Sequence, residues 1–121
     1  MTKKVYYLST CDTCKRIIKE LGIGEDFEYQ DIKKEKITEA QIEEMKVLSG
    51  SYESLFSKVA RKYKELNLKE KSLREDDYKQ YILDEYTFLK RPVFIIGDHI
   101  FVGNSKKNVE AVKAHISGDQ K

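Results

Sequence analysis

The chain has two cysteines, Cys11 and Cys14, three positions apart in the stretch "YLSTCDTCKRIIKELG". A pair so spaced can bind metal, staple the chain, exchange disulfides or simply fill space, and the neighbouring residues discriminate between these uses. Cys14, Ile17, Ile18 and Leu21 fall at relative positions 0, 3, 4 and 7, so a helix here carries the second thiol on its apolar face and leaves it partly buried. Cys11 falls one turn earlier, at or just before the helix start, where orphan backbone N–H groups and the positive end of the helix dipole favour an anion. A thiolate is such an anion. Lys15 and Arg16 add cations against the opposing charge of Asp12. Helix starts and nearby cations bring a cysteine pKa from about 8.5 to between about 3.5 and 7.5. The pattern therefore predicts an exposed attacking thiolate at Cys11 and a resolving thiol at Cys14 that closes a disulfide.

The rest of the chain offers little support for a metal site. Structural zinc normally takes four ligands, and beyond the cysteines the sequence holds only His99 and His115, one in a hairpin and one on the last helix. Each histidine reads as a solvated or packing residue. Two inert, space-filling cysteines stay as the alternative, although that reading leaves the helix-start position of Cys11 without a reason.

Two α/β units must position these thiols. Residues 4–9, "KVYYLS", read as a strand covered on both sides, 12–22 as a helix, and "FEYQDI" at 27–32 as a second strand, parallel to the first and directing Phe27, Tyr29 and Asp31 to one face. "PVFIIGDHIFVG" contains two apolar runs joined by Gly97-Asp98, a tight two-residue hairpin signal. Asn104 or Ser105 then caps a helix with Val109, Val112 and Ile116 on one face. Between the units, residues 38–90 read almost wholly as helix. Thr38 with Gln41 and Ser72 with Glu75 fit the capping-box pattern, and three apolar stripes follow: Ile42, Met45 and Leu48; Leu55, Phe56, Val59, Tyr63 and Leu66; Tyr78, Ile82 and Leu89.

Composition narrows the function classes. The 121 residues, 40% hydrophobic and 36% charged, suit one soluble domain with its own core. Basic and acidic residues number 23 and 21 and are interspersed, so no charge field points to a direct nucleic-acid partner. No apolar run approaches a membrane span, and "MTKKVYYLST" lacks the apolar region of a signal peptide, so a cytoplasmic protein without a membrane partner is expected.

A βαβ unit with C-x-x-C between strand and helix, followed by a ββα unit that begins at a proline, resembles a thioredoxin fold. Pro92, the only proline of the chain, stands where that fold carries its cis-proline. The helical block, with "LKRPVFI" leading into "VGNSKKNVEAV", resembles more specifically the glutaredoxin-related arsenate reductase (ArsC) family, which includes the Spx-type regulators, over essentially all 121 residues. The resemblance implies an α/β, thioredoxin-like βαβ…ββα fold with a helical insertion over about residues 38–90, in a single domain of residues 1–121.

In that resemblance Cys11 matches the nucleophile, and Arg91 matches an arginine that binds an oxyanion beside it, with Pro92 next to it at the substrate. The family's arsenate reductases use two further arginines, which fall near Ser57 and at Asn104 here. Lys58 or Arg61 could substitute for the first and Lys106 for the second, from positions that do not match. Cys14 resembles the second thiol of Spx-type members. The implied activity is that of a thiol-dependent oxidoreductase acting on an anionic small molecule or thiol. No bound cofactor is expected, glutathione or a thioredoxin-type protein would serve as reductant, and the expected state is a monomer. The alternative is an Spx-type redox-sensing transcriptional regulator that binds RNA polymerase.

Overall fold

The computed structural model describes the backbone of residues 3–119 and the side chains of residues 3–116. Its elements run β1 (Lys3–Tyr7), α1 (Asp12–Leu21), β2 (Glu28–Asp31), α2 (Glu39–Ser49), α3 (Arg61–Glu65), α4 (Glu75–Asp84), β3 (Val93–Ile96), β4 (His99–Val102) and α5 (Lys106–Asp119), with short 3-10 turns at Glu53–Leu55, Leu68–Glu70 and Tyr86–Phe88. Two compact units result: β1, α1 and β2 join β3, β4 and α5 in one, and Lys36–Lys90 forms the other. The expected βαβ…ββα frame is present, with the helical insertion in place.

The first unit is built on a four-stranded sheet of order β2-β1-β3-β4. β1 pairs with β2 in parallel, as the intervening helix demands, and β3 runs antiparallel to both β1 and β4. The β3–β4 turn needs a left-handed residue at its first position, and Gly97 supplies it at φ 63° without a Cβ penalty. Val5, Ile17, Phe27, Phe94, Ile96, Val109 and Val112 form one buried cluster, so α1 and α5 pack on the same sheet face. Burial of Ile17 alone stabilises the unit by about 1.5–3 kcal/mol. Ser105 is the cap of α5, its hydroxyl accepting the Asn108 N–H at 3.1 Å.

Two local expectations shift here. β1 ends at Tyr7, because the chain then turns sharply and the Cys11 N–H donates to the Leu8 carbonyl at 3.0 Å. Phe27, just before β2, is buried, but Tyr29 on the strand remains 39% exposed, while Gln30 on the opposite phase is buried. An edge strand leaves Tyr29 at the rim, and the Gln30 amide is satisfied by donating to the Glu35 carbonyl at 3.0 Å.

In the second unit, α2 starts as expected. The Thr38 hydroxyl accepts the Gln41 N–H and the Gln41 side chain accepts the Thr38 N–H, both at 3.1 Å. The predicted Ser72–Glu75 box does not form. Glu75 instead accepts the N–H groups of Tyr52 and Glu53 at 2.7 and 3.1 Å, and Asp77 takes the Arg74 N–H at 2.8 Å to start α4. The stripe from Leu55 to Leu66, expected as one or two helices, is helical only in part: Phe56 is extended and paired with Leu89, Val59 is 90% exposed, and α3 is only five residues long. Leu89 likewise lies beyond α4. Phe56 is the hub of this unit, stacked on Phe88 at 4.9 Å and edge-on to Tyr63 and Tyr78.

Candidate active site

The site begins with the turn that follows β1. Cys11 is the N-cap of α1 in an extended conformation, its carbonyl accepting the Lys15 N–H at 3.2 Å, so its side chain lies beside the open backbone donors of the first turn. It is part exposed, whereas Cys14 is buried completely rather than partly. The helical phase that packs Ile17 under the sheet also turns the second thiol inward.

Opposing effects act on Cys11. Partial desolvation, the largest of them, raises its pKa, but it is outweighed by the Cys14 backbone N–H, the Cys14 thiol, the charge of Arg91 and the Thr13 N–H, so the net direction is downward. Burial pushes Cys14 up to about 11, aided by the anion it faces on Cys11 and opposed by the Leu8 backbone and Arg91. The two thiols thus separate into an easily ionised one and a proton-holding one. They form no disulfide in this structure.

The cation that acts on Cys11 is Arg91, not the expected Lys15 or Arg16. Lys15 turns to Asp12 at 3.8 Å on the exposed side of α1. Arg91 precedes Pro92 through a cis peptide bond, and the Pro92 carbonyl accepts the Gly103 N–H at 3.0 Å. The Arg91 Nε is buried and has no hydrogen-bond acceptor among the described residues, while the guanidinium charge bears on both thiols. Cys11, Cys14 and Arg91, with Pro92 next to it, therefore assemble within one unit.

The other residues considered from sequence have partners or surroundings of their own. Ser57 is buried in the second unit with its N–H donating to the Phe88 carbonyl at 2.6 Å, and Lys58 pairs with Glu53 at 3.4 Å. Asn104 and Lys106 are exposed. His99 and His115 lie ring against ring, 4.5 Å between centroids, beside Phe101. Among the described residues, no three His, Cys, Asp or Glu side chains gather in a way that could hold a metal.

Sequence reasoning missed Ser9 and Asp31. The Asp31 carboxylate accepts both the N–H and the hydroxyl of Ser9 in the turn before Cys11. The available signal was the parallel pairing of the two predicted strands, which sets the last residue of β2 level with the end of β1.

The described residues contain no helix long and apolar enough to cross a membrane. The comparison with curated proteins returns no match. Among solved structures, the Staphylococcus aureus protein SACOL0876 is 27% identical with a TM-score of 0.70, over 91% of this chain and 97% of its own. An arsenate reductase from Vibrio cholerae is 14% identical at TM-score 0.74, covering 93% and 97% of the two chains. An arsenate reductase (ArsC) related protein from Brucella melitensis is 21% identical at TM-score 0.69, covering 92% and 93%. At such identities the likeness to the last two is one of fold. The ArsC family model matches residues 6–112, a span that takes in the cysteine pair, the helical insertion and the Arg91-Pro92 step, and the chain belongs to the ArsC family.

Proposed function

We propose that this protein is a cytoplasmic thiol-dependent oxidoreductase in which Cys11 attacks, Cys14 resolves, and Arg91 with Pro92 receives an anionic substrate. The observation that carries this reading is the placing of the pair, a part-exposed Cys11 at the N-cap of α1 and a buried Cys14 one turn on, with the Arg91 charge bearing on both. The Cys11 thiolate attacks one sulfur of a substrate disulfide, forming a mixed disulfide and expelling the other sulfur as a thiolate. Cys14 must then lose its proton. Its pKa falls once Cys11 is no longer an anion, because that charge and hydrogen bond are among the causes that raise it. The Cys14 thiolate attacks the Cys11 sulfur, closes the intramolecular disulfide and releases the substrate thiol. Two electrons have moved from the dithiol to the substrate. An external thiol, glutathione or a thioredoxin-type protein, restores the reduced pair. The planar guanidinium of Arg91 suits bidentate pairing with a carboxylate of the substrate.

Peptide mass mapping tests the scheme. Mild oxidation of the dilute wild type is expected to link Cys11 to Cys14 within one chain, while Cys14→Ser traps a mixed disulfide at Cys11. Chiefly intermolecular disulfides in the wild type would remove the resolving role. A second reading, an Spx-type redox switch on RNA polymerase, is supported by the same thiol pair, which needs no further residue to change state. Turnover with a thiol reductant favours the enzyme; capture of polymerase that depends on thiol state, without turnover, favours the switch.

A further inference from the structure

The side chain of Asp31 has both carboxylate oxygens engaged at the point where β1 gives way to the cysteine turn. Oδ1 accepts the backbone N–H of Ser9 at 3.4 Å and that of Lys33 at 3.2 Å, and Oδ2 accepts the Ser9 hydroxyl. The Lys33 contact is a local turn and needs no further role. The two Ser9 contacts are different, because they join the end of β2 to the turn that follows β1. Tyr7, the last residue of β1, is level with Asp31 in the parallel ladder, the Ile32 N–H donates to the Tyr7 carbonyl at 2.9 Å, and the chain then enters the turn closed by Cys11 N–H and Leu8 carbonyl at 3.0 Å. Ser9 is the second residue of that turn, so fixing it fixes the entry of the chain into α1.

We propose that Asp31 is a positioning residue for Cys11: through Ser9 it clamps the turn over residues 8–11 so that the Cys11 sulfur stays over the first-turn N–H groups, facing Cys14 and Arg91. The inference rests on the reading of Cys11 as the attacking thiolate. Its physical content is a prediction of sign. As a bare negative charge near the site, Asp31 would disfavour the thiolate, and neutralising it would lower the Cys11 pKa. As a clamp, it holds the sulfur among donors that outweigh that charge, and its removal raises the Cys11 pKa. The charged and titratable groups facing the two ends are Arg91 and the Cys14 thiol at Cys11, and Lys34 at Asp31.

The rate of iodoacetamide alkylation of Cys11, followed against pH and located by peptide mapping, measures this directly, with thermal unfolding recorded for every variant. Asp31→Ala is expected to slow alkylation at acidic to neutral pH about tenfold, the change in thiolate population for a pKa one unit higher. Asp31→Asn keeps an acceptor for the backbone N–H groups, and Ser9→Ala removes the hydroxyl contact alone; each is expected to lose about threefold, and they serve if Asp31→Ala does not fold. Folded variants with a lower melting temperature but an unchanged alkylation profile would overturn the clamp, and so would a faster profile. A wild-type Cys11 that titrates like a free cysteine would instead overturn the attacking-thiolate reading on which the clamp rests.

Discussion

Removing the Cys14 side chain changes two titrations at once. Cys14→Ala deletes a thiol that faces Cys11, so the Cys11 pKa is expected to rise, and alkylation at neutral pH slows. Its own titration disappears as well. Cys14 has a folded pKa raised to about 11, so between the unfolded value of about 8.5 and that pH the native state holds a proton the unfolded chain releases. Its contribution is complete below the unfolded value and is lost as pH rises through the folded one. Cys11 has the opposite sign: its lowered pKa contributes stability above the unfolded value that disappears as pH falls through the folded one. Urea midpoints measured across the alkaline range should therefore fall more steeply for the wild type than for Cys14→Ala. Parallel curves would show that the buried thiol is not the titrating group.

At the scale of elements, α2 and the aromatic hub of the second unit carry separable contributions. Thr38→Ala breaks the reciprocal cap and is expected to cost about 1 kcal/mol, while Thr38→Ser keeps the hydroxyl and should cost little. Phe56→Ala leaves a cavity among Tyr63, Tyr78 and Phe88 and is expected to cost about 3–5 kcal/mol. Chemical denaturation measures both. A cost below about 1 kcal/mol for Phe56→Ala would mean that the surrounding rings close over the space. The two caps also show how far local patterns carry. Thr38 and Gln41 lie on one turn and satisfy each other, whereas Glu75, with the same spacing from Ser72, is drawn to the Tyr52 and Glu53 N–H groups that the fold brings to it.

For the molecule as a whole, family membership does not decide the substrate. A thiol-bound arsenate carries negative charge through attack and reduction, and losing one fixed donor to such a charge costs about 2.7–4 kcal/mol. The arginines that the resemblance calls for fall near Ser57 and at Asn104, and neither Ser57 nor Asn104 supplies such a charge. Arsenate reduction is accordingly expected to be weak or absent, with thiol-disulfide exchange measurable. Arg91→Ala is expected to raise KM for an anionic thiol substrate more than it lowers kcat. Steady-state assays of the wild type, of Arg91→Ala and of Ser57→Arg combined with Asn104→Arg check this. Efficient arsenate turnover by the wild type would show that Lys58, Arg61 or Lys106 supplies the donors after all.

The hairpin at Gly97, the capping box at Thr38 and the placing of Cys11 at a helix start with Cys14 on the inner face were legible in the sequence, because each depends on residues within a few positions of one another: a turn residue, a cap, a helical phase. The sequence could not assign the cation that acts on Cys11. Lys15 and Arg16 are near in sequence, but the helix directs Lys15 to Asp12, and the charge that counts comes from Arg91, on the step into β3. The burial of Gln30, the exposure of Val59 and the grip of Asp31 on Ser9 were likewise decided by tertiary structure. Each depends on which strand forms the edge of the sheet, where a helix stops, or how two strands fall into register, and those are settled by contacts between residues far apart along the chain.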